Sequence, residues 1–134
     1  MALIEWSEEL STGIKEVDAQ HRRLVDIINE LHVAMLDRRE KQVMSKIFTE
    51  LVDYTKTHFS YEEKLFAEHG YPAGRAHKLQ HEGLAQKVID LKEEFDAGNT
   101  AVTLEVMRFL RDWLADHIIA SDKLYASFLI DRGV

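Results

Sequence analysis

The sequence predicts an all-α protein, an up-down-up-down antiparallel four-helix bundle with an ordered N-terminal arm, and three observations lead there. Proline occurs once in 134 residues, at position 72, and Leu, Glu, Lys and Ala are abundant, so helix is favoured nearly everywhere. Four stretches repeat apolar residues at spacings of three and four, the period of a helix with one buried face. Gly70, Pro72 and Gly74 fall between the second and third of those stretches, and Gly98 ends the third.

Residues 1 to about 17 show neither the helical nor the strand period, and Gly13 interrupts them. Trp6 and Ile14 are apolar enough to pack, so this segment reads as an arm laid across the bundle. Asp18 is placed to cap the first helix, whose inward stripe is His21, Leu24, Val25, Ile28, Leu31 and Met35 and which should end near Arg38. The second stripe is Val43, Ile47, Leu51, Tyr54, His58, Glu62 and Leu65, with Glu63 turned to solvent. Gly70, Pro72 and Gly74 reverse the chain into a third stripe, His77, His81, Leu84, Val88, Leu91 and Phe95, which stops at Gly98. Asn99 or Thr100 can cap the fourth helix, which continues through Val106, Leu110, Trp113 and His117. Each helix has roughly 20 residues and is about 30 Å long.

Asp122 breaks the spacing. It lies five residues after His117, and an ideal helix would swing it about 140° away. Tyr125 and Leu129 nevertheless share a face with Asp122, so one extra residue must be absorbed and a π-bulge is expected between His117 and Asp122.

The 134 residues fit one domain, 1–134, large enough to bury a core. With no cysteine, disulfides, thiolate metal sites and cysteine nucleophiles are excluded, and any metal must use nitrogen and oxygen ligands. The net charge of −7, with basic residues scattered, argues against nucleic acid and serves solubility. No run approaches the ~20 apolar residues of a membrane span and the N-terminus has no signal-peptide pattern, so a cytoplasmic location is expected.

Histidines and carboxylates occupy inward positions where apolar residues belong. One His-x-x-x-Glu or His-x-x-x-His pair on a helix is commonly a surface charge pattern. Here His58/Glu62 and His77/His81 both fall on buried faces, on either side of one tight turn. A carboxylate buried in a bundle is costly unless a cation sits beside it. In an antiparallel bundle the start of helix one, the end of helix two, the start of helix three and the end of helix four coincide. His21, His58, Glu62, His77, His81, His117 and Asp122 then meet in one layer. Seven ligands exceed the demand of one ion, and carboxylates among imidazoles can bridge two; iron suits the set, as do manganese, copper or zinc. No inward Glu-x-x-His motif of the ferritin-like oxidases occurs at that layer, and neutral histidines dominate, which favours reversible binding of a small molecule over substrate oxidation. His32 lies about 16 Å along the axis from His21, too far to join, and His69 belongs to the end of helix two.

The segments DAQHRRL at His21, HFSYEEKLFAEHGYP from His58, HKLQH from His77 and WLADHIIASDKLY around His117 and Asp122 resemble the hemerythrin family, and the resemblance covers essentially the whole chain. It implies two iron ions per chain, one held by His77, His81 and His117 and the other by His21 and His58. Glu62, Asp122 and an oxo or hydroxo group would bridge them. It further implies that dioxygen is the ligand, bound reversibly at the ion with fewer protein ligands, and that the protein is not an enzyme. An apolar surround of Leu24, Val25, Phe59, Leu84, Trp113 and Leu114 would exclude water; Leu84 stands where relatives often carry phenylalanine. The expected assembly is a monomer, with an oxygen-consuming enzyme as recipient of the oxygen. A sensor of oxygen or redox state, and a scavenging enzyme for peroxide or nitric oxide, are the competing readings.

Overall fold

The structure is a computed structural model that describes residues 3–99, 101 and 103–134. A 3-10 turn, Glu8–Leu10, precedes α1 (Lys15–Leu36), α2 (Lys41–His69), α3 (Gly74–Asp96) and α4 (Leu104–His117); a π-helical turn, Ile118–Asp122, then continues into α5 (Lys123–Asp131). Helix α4, the π turn and α5 form one rod, so the architecture is the expected up-down-up-down bundle, with α2 packed on both α1 and α3 and α1 also on α4.

The arm is ordered, and its anchoring differs from expectation. Helix α1 begins before Asp18, with Ile14 in extended backbone at its N-cap. Asp18 instead reaches back to the arm, accepting hydrogen bonds from the Thr12 N–H, the Thr12 hydroxyl and the Ser11 hydroxyl, each at 2.8 Å. Burial pushes the Asp18 carboxyl up, but these donors outweigh it and hold the group below its ordinary value. Further out, Ile4 exchanges hydrogen bonds with the Asn29 side chain, and the Arg22 guanidinium lies 4.8 Å from the centroid of Trp6.

Helix α1 stops at Leu36, two residues short of Arg38, which takes the left-handed conformation at φ 52° and ends the helix. Helix α2 has 29 residues, about 43 Å, and is longer than the sequence period suggests. Its buried face is also rotated: Met44, Phe48, Leu51, Val52, Thr55, His58, Phe59, Glu62 and Phe66 are inside, while Val43, Ile47, Tyr54 and Leu65 are half-buried. A helix packed against neighbours on two sides needs a wider apolar face than one stripe supplies. The reversal after α2 follows expectation, with Gly70 left-handed at φ 64° and the Tyr71 N–H bonded to the Phe66 carbonyl. Helix α4 is capped by Thr103, whose hydroxyl accepts from the Val106 N–H at 3.3 Å. Asn99 is not the cap, and Thr100 lies outside the described residues.

The core has two parts. The larger runs from Ile4 and Leu10 through Leu24, Ile28, Phe48, Phe95 and Leu110 to Ile118; the smaller, of Ile14, Val17, Phe66, Tyr125, Ala126 and Leu129, closes the other end. Between them lies a polar layer.

Candidate metal centre

Four separate segments supply that layer. His21 projects from the second turn of α1, His58 and Glu62 from the last three turns of α2, His77 and His81 from the first two turns of α3, and His117 from the end of α4. Asp122 closes the π turn. The wider turn absorbs one residue, so Asp122 faces the same way as His117, with Tyr125 and Leu129 following it into the core. All seven side chains expected from the sequence are brought together.

Burial there is nearly complete: His21, Glu62 and Asp122 are 0% exposed and His58 and His81 are 1% exposed. Asp122 Oδ1 lies 3.0 Å from His77 Nε2 and 3.1 Å from His117 Nε2, while its Oδ2 lies 3.0 Å from His21 Nε2. Glu62 Oε1 is 3.1 Å from His81 Nε2 and 3.4 Å from His58 Nε2, and Oε2 is 3.8 Å from His21 Nε2. The donor atoms form two sets: Glu62, His77, His81, His117 and Asp122 in one, and His21, His58, Glu62 and Asp122 in the other, each with its atoms within 4.8 Å of one another. Both carboxylates belong to both sets. His32 and His69 belong to neither; His32 is buried elsewhere on α1.

The donor set fits a cation. The Nε2 atoms of His21, His58, His77, His81 and His117, Glu62 Oε1 and both Asp122 oxygens are buried without a hydrogen bond. Buried polar atoms normally have partners, so a converging group of unpaired acceptors is the arrangement a metal ion satisfies. The electrostatics agree. Burial pushes the Asp122 carboxyl up, but His117, His21 and His77 outweigh it and hold the group well below the carboxylate range. Burial and Asp122 likewise push Glu62 up, and His58, His81 and His21 bring it below its ordinary value. Burial lowers His58 to about 4 against the pull of Glu62, so this ring is neutral and its Nε2 lone pair is free to bind.

Three residues outside the set expected from the sequence support the donors. Glu63, expected to face water, is only 25% exposed at its side chain and accepts from His81 Nδ1 at 2.9 Å. Gln20 Oε1 accepts from His58 Nδ1 at 2.6 Å, while Gln20 Nε2 donates to Glu16 at 3.2 Å. The fully buried Tyr125 hydroxyl donates to Glu62 Oε2. Such partners fix the imidazole tautomer and ring orientation.

Around the layer Leu24, Val25, Phe59, Trp113 and Leu114 are buried, as expected. Phe59 stacks on His81 with ring centroids 3.8 Å apart and planes 2° from parallel. Leu84 is half-buried and lines an open groove of about 680 Å³ between α3 and α4, with Leu79, Phe109, Trp113 and His117.

Bundle and centre together define a helical protein whose core gathers histidine and carboxylate donors that could hold cations. The profile of the Hemerythrin HHE cation binding domain matches residues 12–129. A bacteriohemerythrin of Stenotrophomonas maltophilia is 39% identical over 126 residues, covering 94% of this chain and 81% of its own. One of Methylococcus capsulatus is 36% identical over 130 residues, covering 96% and 98%. Among solved structures, a wild-type hemerythrin superposes with a TM-score of 0.88 at 35% identity, covering 94% of this chain and 97% of the other. The chain belongs to the hemerythrin family.

Proposed function

We propose that this protein binds dioxygen reversibly at a pair of non-haem irons and serves oxygen storage or delivery. The observation that carries this reading is the sharing of Glu62 and Asp122 between two otherwise separate sets of buried histidines. His77, His81 and His117 would hold one ion and His21 and His58 the other, with Glu62 and Asp122 available to both. Two irons held there in the ferrous state would supply the two electrons needed for reversible dioxygen binding.

The chain's own residues keep that exchange reversible. The three-histidine position has five donors and the other has four, which leaves the small-molecule position on the side of His21 and His58. Leu24 and Val25, at 0% and 4% exposure, flank that side and keep out the water that would carry off charged oxygen species. A ligand position closed in by Leu24 and Val25 suits a diatomic molecule, and the protein is read as a binder rather than an enzyme. The bacteriohemerythrin relatives bear names of the same kind.

Anaerobic reduction of the iron-loaded protein followed by exposure to oxygen tests the reading. A visible charge-transfer band that appears with oxygen and fades on its removal is expected. A ferric spectrum that persists through deoxygenation refutes it.

A further inference from the structure

Three independent features favour the same side of the centre. The first is donor number: three histidines with both carboxylates on one side, two histidines with the same carboxylates on the other. The second is the group behind the imidazoles. His81 Nδ1 donates to the Glu63 carboxylate, whereas His58 Nδ1 donates to the neutral amide oxygen of Gln20. Because the Gln20 Nε2 group is engaged by Glu16, its oxygen is the atom turned to His58. A carboxylate behind an imidazole raises its basicity as a ligand more than an amide does. His21 has no such partner, its Nδ1 being buried and unbonded. The third feature is Tyr125, whose hydroxyl occupies Glu62 Oε2, the oxygen facing His21, and leaves Oε1 between His81 at 3.1 Å and His58 at 3.4 Å, nearer the three-histidine side.

We propose that the two metal positions are built unequal and fill in order, the His77–His81–His117 position first, with Glu63 and Gln20 as the positioning residues that set the gap between them. The inference rests on the two-metal reading above and goes beyond it, because bridged positions could equally fill together. A singly loaded protein is then a defined state, and the His21–His58 ion is the one that exchanges.

The test is a stepwise anaerobic titration of the metal-free full-length chain with cobalt(II), followed by calorimetry and by the visible bands of the bound ion. The wild type should show two steps separated by at least about ten-fold in affinity. Losing the carboxylate behind His81 in Glu63→Gln should weaken the first step about 10- to 100-fold and bring the two steps together. Gln20→Leu should weaken the second step by a similar factor and widen the gap. The double change Glu16→Gln with Gln20→Glu places a carboxylate behind His58 without a like charge one turn away, and should strengthen the second step. That gain cannot arise from misfolding, and circular dichroism checks that the other variants remain helical. Two unresolved steps in the wild type, or equal shifts of both steps in Glu63→Gln and Gln20→Leu, would overturn the proposal while leaving two metals per chain intact. Fewer than two ions on the folded wild type would overturn the two-metal reading itself.

Discussion

Phe59 is where the packing of the bundle and the protection of its centre meet. It is 6% exposed, lies face to face with His81, and has its ring centroid 6.0 Å from that of His117 and 6.5 Å from that of Trp113. Replacing it with alanine removes a buried aromatic ring, a change that costs about 3–5 kcal/mol where the surroundings cannot collapse. Collapse is restricted here because the neighbouring rings are themselves fixed in the core. For 134 residues the unfolding entropy is roughly 0.28 kcal/mol/K, so the midpoint of thermal unfolding should fall by about 11–18 °C. Urea denaturation of the metal-free chain measures the free energy directly. The same substitution opens the wall beside His81 to water, so the iron-loaded variant should oxidise irreversibly faster than the wild type. Phe59→Leu separates the two effects: it keeps most of the apolar volume and should cost less than about 1.5 kcal/mol, while losing the stacking that orients His81. A loss below about 1 kcal/mol for Phe59→Ala, with oxidation unchanged, would refute the view that this ring seals the centre.

Asp18→Ala removes three hydrogen bonds to a carboxylate and should cost about 2 kcal/mol, with the arm before Lys15 becoming sensitive to limited proteolysis while the bundle stays intact. Inserting an alanine after Ala120 should rotate Asp122, Tyr125 and Leu129 by about 100° and abolish tight metal binding. Deleting the exposed Ala120 turns the π turn into ordinary helix, keeps those side chains inward and should leave the chain folded, as circular dichroism and metal analysis would show. The metal-free chain should also lose stability on acidification. His58 titrates near 4 when folded and near 6.5 when unfolded, so below about 6.5 the unfolded chain takes up a proton that the folded one refuses. The loss runs from about pH 6.5 to about pH 4 and amounts to roughly 3 kcal/mol from this group. His117 shifts upward, against burial, through Asp122, and offsets part of it. Denaturation midpoints across that range check the direction, and a midpoint that rose on acidification would contradict it.

Most of the centre is legible in the sequence because a histidine or carboxylate at an apolar position of a helical repeat is costly to bury unless a cation lies beside it. The π turn is legible for a related reason: His117 and Tyr125 both have to face inward, and counting residues between them leaves one too many. The supporting residues are hidden because their partners lie on other helices. Gln20 adjoins His21 in sequence yet serves His58, and Glu63 adjoins Glu62 yet serves His81. Which neighbouring helix such a residue reaches depends on helix rotation, which a period alone does not fix. Tyr125 carries a usable signal, since a tyrosine on the ligand face needs a buried partner for its hydroxyl. The buried face of α2 is ambiguous in the sequence because two apolar stripes interleave there, Val43–Ile47–Leu51 and Met44–Phe48–Val52, and packing against both α1 and α3 buries all of the second but only Leu51 of the first. The role of Asp18 is obscured in a similar way: Ser11 and Thr12 upstream offer the carboxylate stronger partners than the helix terminus does.

Anomalous diffraction at the iron edge from crystals of the anaerobically iron-loaded protein addresses the core of this account most directly. Two peaks are predicted, one among His77, His81 and His117 and one beside His21 and His58, with Glu62 and Asp122 between them. A single peak, or a second one outside this layer, would contradict it.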